Sequence, residues 1–164
     1  MASASSAFWK SFGLGVVAGM RSMSAPALLS SALRRRPSGR LAHSSLGWFQ
    51  SKWAARGLKL LAGSEMLADK LPQMPDRTAP PVLAGRVVSG ALVGAIVHKL
   101  NRGSLLSGAV VGGVGAVAGS YAAMSLRKLA DQRTDLKEPW TGVVEDVLTI
   151  VSGKALLSGR KPGR

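Results

Sequence analysis

Charged side chains that interrupt apolar stretches are the residues of this chain that could do chemistry. Arg21 and Arg86 each stand alone in such a stretch, and Glu145 and Asp146 lie side by side in another. Within the hydrocarbon of a membrane, each of these charges is costly unless it faces a bundle interior or water. Such residues commonly mark ion or solute paths. They are therefore the first candidates for a functional cluster.

A second set of charges follows from helical spacing. Glu65 and Asp69 are four residues apart, so they share one face of a helix and repel each other. Positive partners would reverse that repulsion, and several basic residues are available. We predict a buried cluster that contains Arg21, Glu65, Asp69, Lys70, Arg77, Arg86, Glu145 and Asp146. Because Glu145 and Asp146 are adjacent, at most one of them can point straight at a central site.

Three interpretations of this cluster compete. It could be an ion-pair network that fixes the register of the helices, a path for a solute or ion, or a carboxylate site for a divalent metal. We predict no metal and no cofactor, and no enzyme activity. The chain has no cysteine and no catalytic or nucleotide-binding motif. His43 and His98 are far apart in sequence, and we expect His98 to lie at a membrane interface.

One segment sets the broad class of protein. Residues 103–126 carry no charge, and a helix of that length is about 36 Å long, enough to cross a hydrocarbon core of roughly 30 Å. Glycines here and in the preceding apolar segment recur four apart, a spacing that lets helix backbones touch inside a membrane. The pairs are Gly90 and Gly94, Gly108 and Gly112, and Gly115 and Gly119. A single hairpin needs fewer such faces, so we expect a homo-oligomer.

The remaining pattern predicts an all-α membrane protein: a small Gly-rich bundle of three to five embedded helices, some broken or interfacial. We assign one membrane domain to residues 1–158 and a basic, disordered tail to 159–164. The predicted elements are a first helix at 7–33, an interfacial or embedded helix at 46–71, a transmembrane hairpin at 82–100 and 104–126, and a last helix at 140–157. Pro26 should kink or break the first helix.

Two glycine-rich heptads suggest an internal repeat. Residues 13–19 and 113–119 are identical at five of seven positions. Membrane transport proteins often contain internal repeats. In a chain with 20 glycines, chance similarity is the alternative.

The net charge of +14 admits two classes of partner. In a soluble protein it would suggest nucleic acid, but no nucleic-acid-binding motif is present. In a membrane protein it marks basic loops that face the cytoplasm and its anionic lipids. The basic loop here contains Arg34, Arg35, Arg36 and Arg40. We therefore expect membrane lipids as partners and no nucleic acid.

Several blocks of the chain, taken in order, resemble a bacterial membrane family called domain of unknown function 4126. The blocks lie at 19–28, 63–95, 108–129 and 143–150, and the most specific string is E-x-x-x-D-K-x-P-x-x-P-x-R-T. The resemblance carries over Arg21, Glu65, Asp69, Lys70, Pro72, Pro75, Arg77, Thr78, Arg86, Glu145 and Asp146. It strengthens the prediction of a membrane protein and gives no substrate. We expect the protein to be multi-pass and to lie in the bacterial inner membrane.

These observations lead to two functional hypotheses of different class. The first is a small channel or transporter whose path for a small solute or ion passes the buried charges. The alternative is a structural or assembly protein of the membrane, in which the charges only fix helix register. A basic nucleic-acid-binding protein is a distant third.

Overall fold

The fold is known from a computed structural model that describes residues 4–68, 80–133 and 139–158, and all regular structure in those residues is helical. A short 3-10 helix, Gly47–Gln50, lies between α3 and α4. The α-helices are α1 (Ala4–Met20), α2 (Ser24–Arg35), α3 (Gly39–Ala42), α4 (Lys52–Ala68), α5 (Pro80–Leu100), α6 (Leu105–Arg133) and α7 (Pro139–Ser158).

The centre of the molecule consists of α1, α5 and α6. A tight turn at 101–103 joins α5 to α6, and Arg102 adopts a left-handed φ of 63° there. The hairpin is antiparallel, because Gly90 approaches Gly112 while Gly94 approaches Gly108. The sequence predicted this hairpin from the apolar segments on either side of the turn.

The glycines of this hairpin stand where two backbones touch. A Cβ atom added at Gly94 would overlap the carbonyl oxygen of Gly108, and one added at Gly112 would overlap that of Gly90. No side chain fits between the helices at these levels. Glycine is therefore required here by the close approach of the backbones, as small-residue packing of membrane helices demands.

The second glycine pair of α6 contacts α1 in the same chain. A Cβ at Gly115 would overlap the carbonyl oxygen of Phe12, and one at Gly119 would overlap that of Val16. The paired numbers rise together, so α1 and α6 are parallel and the two heptads pack against each other. Both glycine pairs of α6 are thus covered within one chain. A surplus face no longer argues for contact between copies, and homo-oligomerisation stays a prediction.

The first predicted helix, 7–33, is broken, but the break does not lie at Pro26 as predicted. The chain instead breaks at 21–23 and folds back, so α1 and α2 are separate helices. Pro26 does not make the break. It lies in the first turn of α2, where its missing N–H would have no intrahelical partner anyway.

The other elements surround this centre. The predicted 46–71 helix is divided into the 3-10 helix and α4, and α6 continues past the predicted end at 126. Phe49 is fully buried in a core that includes Leu14, Leu33, Leu41 and Ile96. The predicted tail, 159–164, lies outside the described residues.

Two of these helices, α5 and the first part of α6 (Leu105–Leu126), are long and apolar enough to cross a membrane. This property rests on their length and composition alone, so the two helices give weak support for membrane association. The first of them begins at Pro80, far from the N-terminus. A secretory signal segment, which lies at the N-terminus, is therefore not the explanation.

Candidate functional site

The break between α1 and α2 is made by a side chain from another helix. In an uninterrupted helix the N–H groups of Ser22 and Met23 would bond to the carbonyls of Ala18 and Gly19. Both instead donate to the carboxylate of Glu65 on α4, from Ser22 to Oε1 and from Met23 to Oε2, each at 2.9 Å. Glu65 therefore takes the two donors that would have continued α1.

Side chains from two other helices bond to a carbonyl oxygen that the break leaves without its intrahelical partner. The Nη1 of Arg86 on α5 donates to the carbonyl oxygen of Gly19 at 2.9 Å. The hydroxyl of Ser120 on α6 lies 3.0 Å from the same oxygen and 2.9 Å from that of Ala116. The end of α1 is therefore tied to both helices of the hairpin.

The signs of these charges match the helix ends that they contact. The C-terminus of a helix carries partial negative charge, and its N-terminus carries partial positive charge. Arg86 lies at the C-terminal end of α1, and Glu65 lies at the N-terminal end of α2. Each charge is thus stabilised by the helix end that it satisfies.

Burial makes these contacts energetically important. Arg21 is 2% exposed and Arg86 is 3% exposed, although both are arginines. Glu65 is half-buried. A buried charge is tolerated only where hydrogen bonds and opposite charge compensate its lost hydration.

A buried serine hydroxyl lies at the break. The hydroxyl of Ser24, in the first turn of α2, is buried and has no hydrogen-bond partner among the described residues. Its Cβ tilts toward the N-terminus of the helix, as in all α-helices, and the break lies at that end. Such a hydroxyl can accept or donate one hydrogen bond to a small polar group.

Helix α7 reaches the level of the break. The Thr149 hydroxyl, fully buried, lies 4.0 Å from the sulfur of Met20, and Leu156 lies against Gly13. Since the numbers run in opposite directions, α7 is antiparallel to α1. The turn before Thr149 therefore continues past the end of α1.

That turn carries two of the predicted cluster residues. The backbones of Glu145 and Asp146 belong to α7 one turn before Thr149, so their register places them at the level of the break. Their side chains lie outside what the structure describes. Asp69, Lys70 and Arg77 also lie outside the described residues.

Of the eight residues predicted to cluster, three have described side chains, namely Arg21, Glu65 and Arg86, and all three belong to the break. The ion pairs predicted among the eight residues stay a prediction, because the described contacts of Glu65 are with backbone groups. Both of its oxygens accept backbone N–H groups. Sequence reasoning also missed Ser120, whose only signal is a hydroxyl after Gly119 in an uncharged span.

A second polar contact lies about midway along α1. The Ser11 hydroxyl is 2.9 Å from Nδ1 of His98 and 3.4 Å from the carbonyl oxygen of Gly94. Ser11 and His98 are both buried inside the protein, and the expected position of His98 at a membrane interface stays a prediction. The ring is buried inside the protein because Gly103 and Gly108 leave room for it. Among the described residues, no group of potential metal ligands comes together.

A family model, described as Domain of unknown function (DUF4126), matches residues 9–157 of the chain. The matched region contains the break, the glycine contacts and α7 to its next-to-last residue. No curated protein and no solved structure matches the chain.

Proposed function

The chain belongs to the DUF4126 family, and we propose that it is a small multi-pass protein of a bacterial inner membrane that passes a small ion or polar solute along the break between α1 and α2. The observation that carries this proposal is the pair of capped helix ends. Glu65 and Arg86 place opposite charges on two half-helix ends that face each other inside an apolar bundle.

Partial burial supports the membrane location. Only 39% of the apolar window in α5 and 33% of that in α6 is buried inside the molecule. The core helix of a soluble protein would be mostly buried, whereas a helix in a small membrane bundle exposes apolar side chains to lipid. Leu106, Val110 and Val114 are exposed along α6, as lipid contact would require. On this basis we propose that α5 and α6 are embedded helices, and that α1 and α7, which pack in the same bundle, are embedded beside them.

The chemistry of the break supports a path for an ion or solute. Transporters use discontinuous helices, whose ends bind ions and polar groups at membrane depth. Here two arginines, a carboxylate and the buried Ser24 hydroxyl lie at such a discontinuity. A small polar species moving through the bundle would lose part of its hydration shell and form hydrogen bonds with these groups instead. The parallel packing of the two glycine heptads supports the internal repeat as part of the same proposal.

The test is ion flux in liposomes that contain the purified protein. We would load vesicles with dyes sensitive to H⁺, Cl⁻ or K⁺ and compare the native chain with Glu65→Gln. The variant keeps the volume of Glu65 and one acceptor oxygen but removes its charge. Lys128→Gln is the matched control, because Lys128 is exposed on α6. A path along the break predicts altered flux in Glu65→Gln alone.

A structural role is the second candidate, and one observation favours it. The bonds of Glu65 and Arg86 satisfy helix ends that any folded form of the chain must satisfy. In that case the charges would fix register and nothing would pass. Absence of flux for all three ions in the native chain, with Glu65→Gln still folded and targeted to the membrane, would favour this structural role.

A further inference from the structure

We propose that one end of the bundle binds the phosphate groups of anionic membrane phospholipids. This basic end consists of the exposed side chains of Arg34, Arg35, Arg36, Arg40 and Arg102. It is far along the bundle from the charged break, because α2 runs from the break to this end. The inference rests on the membrane location proposed above and is independent of any transport.

Hydrogen bonds connect the segment that carries Arg34 to Arg40 with the 3-10 helix and with the end of α5. The carboxamide of Gln50 accepts from the Ser38 N–H at 3.0 Å and donates to the Ser38 carbonyl at 3.3 Å. The Nη1 of Arg40 donates to the carbonyl of Leu100 at 3.0 Å. The end of α2 is thereby fixed beside the last turn of α5, where Arg102 occupies the turn into α6.

The basic end has no acidic neighbour in sequence. Residues 1–64 and 80–130 contain no Asp or Glu, and the carboxylate of Glu65 is bound at the break. No carboxylate with a described side chain therefore neutralises these arginines, and an external anion would relieve their mutual repulsion. Guanidinium groups bind phosphate oxygens in a two-pronged geometry, which makes phosphate the anion that suits them best.

Exposed aromatic and apolar side chains beside the basic end favour a lipid over a nucleic acid. Trp48 is half exposed, and Trp53, at the start of α4, is 80% exposed with the Arg56 guanidinium 5.9 Å from its ring centroid. Leu60 is exposed one turn beyond Arg56 on α4. Tryptophan and basic residues together are typical of the membrane interface. A nucleic acid would leave the leucine in water.

The experiment measures lipid binding by the intact chain in a neutral detergent. Phosphatidylglycerol is titrated against the protein, and bound lipid is counted by native mass spectrometry. Arg34→Gln, Arg36→Gln and Arg102→Gln are tested singly and together, since Arg40 holds the fold. Each substitution should weaken phosphatidylglycerol binding by about five-fold. Lys128→Gln, at the opposite end of the bundle, should leave it unchanged.

Three further titrations distinguish the source of the phosphate. Phosphatidylcholine should bind far more weakly than phosphatidylglycerol, because it carries no net charge. Inorganic phosphate and a short DNA duplex, added separately, should not displace phosphatidylglycerol at equal concentration. Displacement by either one, or equal weakening by Lys128→Gln, would overturn the proposal. Unchanged ion flux in the triple variant would show that this site and the break are separate.

Discussion

Helix α1 passes through two regions that are held together in opposite ways. Its middle belongs to the glycine contact core, defined by Gly15, Gly90, Gly94, Gly112 and Gly119, where backbones touch with no side chain between them. Its end belongs to the charged break, where Glu65, Arg86 and Ser120 bond to backbone groups. The first region depends on the absence of side chains at its glycines, and the second depends on side chains that other helices supply.

The difference shows which changes each region can tolerate. Adding a side chain to the glycine contact core forces two helices apart, and the displacement spreads along both. Removing a side chain from the charged break leaves backbone groups or a charge unsatisfied, and the cost stays local. The four predictions that follow test this contrast by the free energy of unfolding, measured by titration with a denaturing detergent.

Arg86→Ala should have the largest effect, a loss of about 3–5 kcal/mol, because it removes a buried charge and leaves its partners, the Gly19 carbonyl among them, uncompensated. Lys128→Ala, an exposed cation on α6, should lose less than about 1 kcal/mol. If both variants unfold at the same detergent fraction, Arg86 does not hold the break together.

Gly90→Leu should come next, with a loss of about 3 kcal/mol, since the new side chain meets the backbone of Gly112 and the Cβ of Ala116. Gly85→Leu is the matched control on the same helix, because nothing lies within 4 Å of a Cβ there. Gly85→Leu should be neutral or slightly stabilising. Similar losses at both glycines would mean that the helices do not touch at Gly90.

Glu65→Gln should lose about 1.5 kcal/mol, because the amide keeps one acceptor oxygen but loses the charge that favours the N-terminus of α2. The variant Glu65→Asp tests the effect of the charge separately from the effect of side-chain length. It keeps the charge on a shorter side chain, so a loss greater than that of Glu65→Gln would show that the two bonds matter more than the charge. A full native stability in both variants would contradict the role of Glu65 in the break.

Ser120→Ala should have the smallest effect, about 1 kcal/mol, since the carbonyl of Gly19 keeps its bond from Arg86. Ser125→Ala, at an exposed position of the same helix, is the control and should be neutral. The double variant Arg86→Ala with Ser120→Ala should lose more than the sum of the single losses, because the carbonyl then has neither donor. Strict additivity would argue that the two side chains act independently.

The sequence predicted an all-helical fold, its close helix contacts and its hairpin. Long uncharged stretches and glycines four apart indicated apolar helices in close contact, and the turn at 101–103 indicated the hairpin. Arg21 and Arg86 stood out because charges are rare in such stretches. These features are local, or they repeat along one helix, so the order of residues is enough to reveal them.

Tertiary structure decided how the helices and charges meet. The break at 21–23 depends on Glu65, which lies more than 40 residues away and competes for the N–H groups of Ser22 and Met23. No local pattern announces such a competition, and Pro26 pointed to the wrong position. The partner of each glycine face was likewise undecided, because spacing shows that a helix has a close contact but never which helix supplies it. Sequence thus determined which groups need partners, and packing in three dimensions selected the partners.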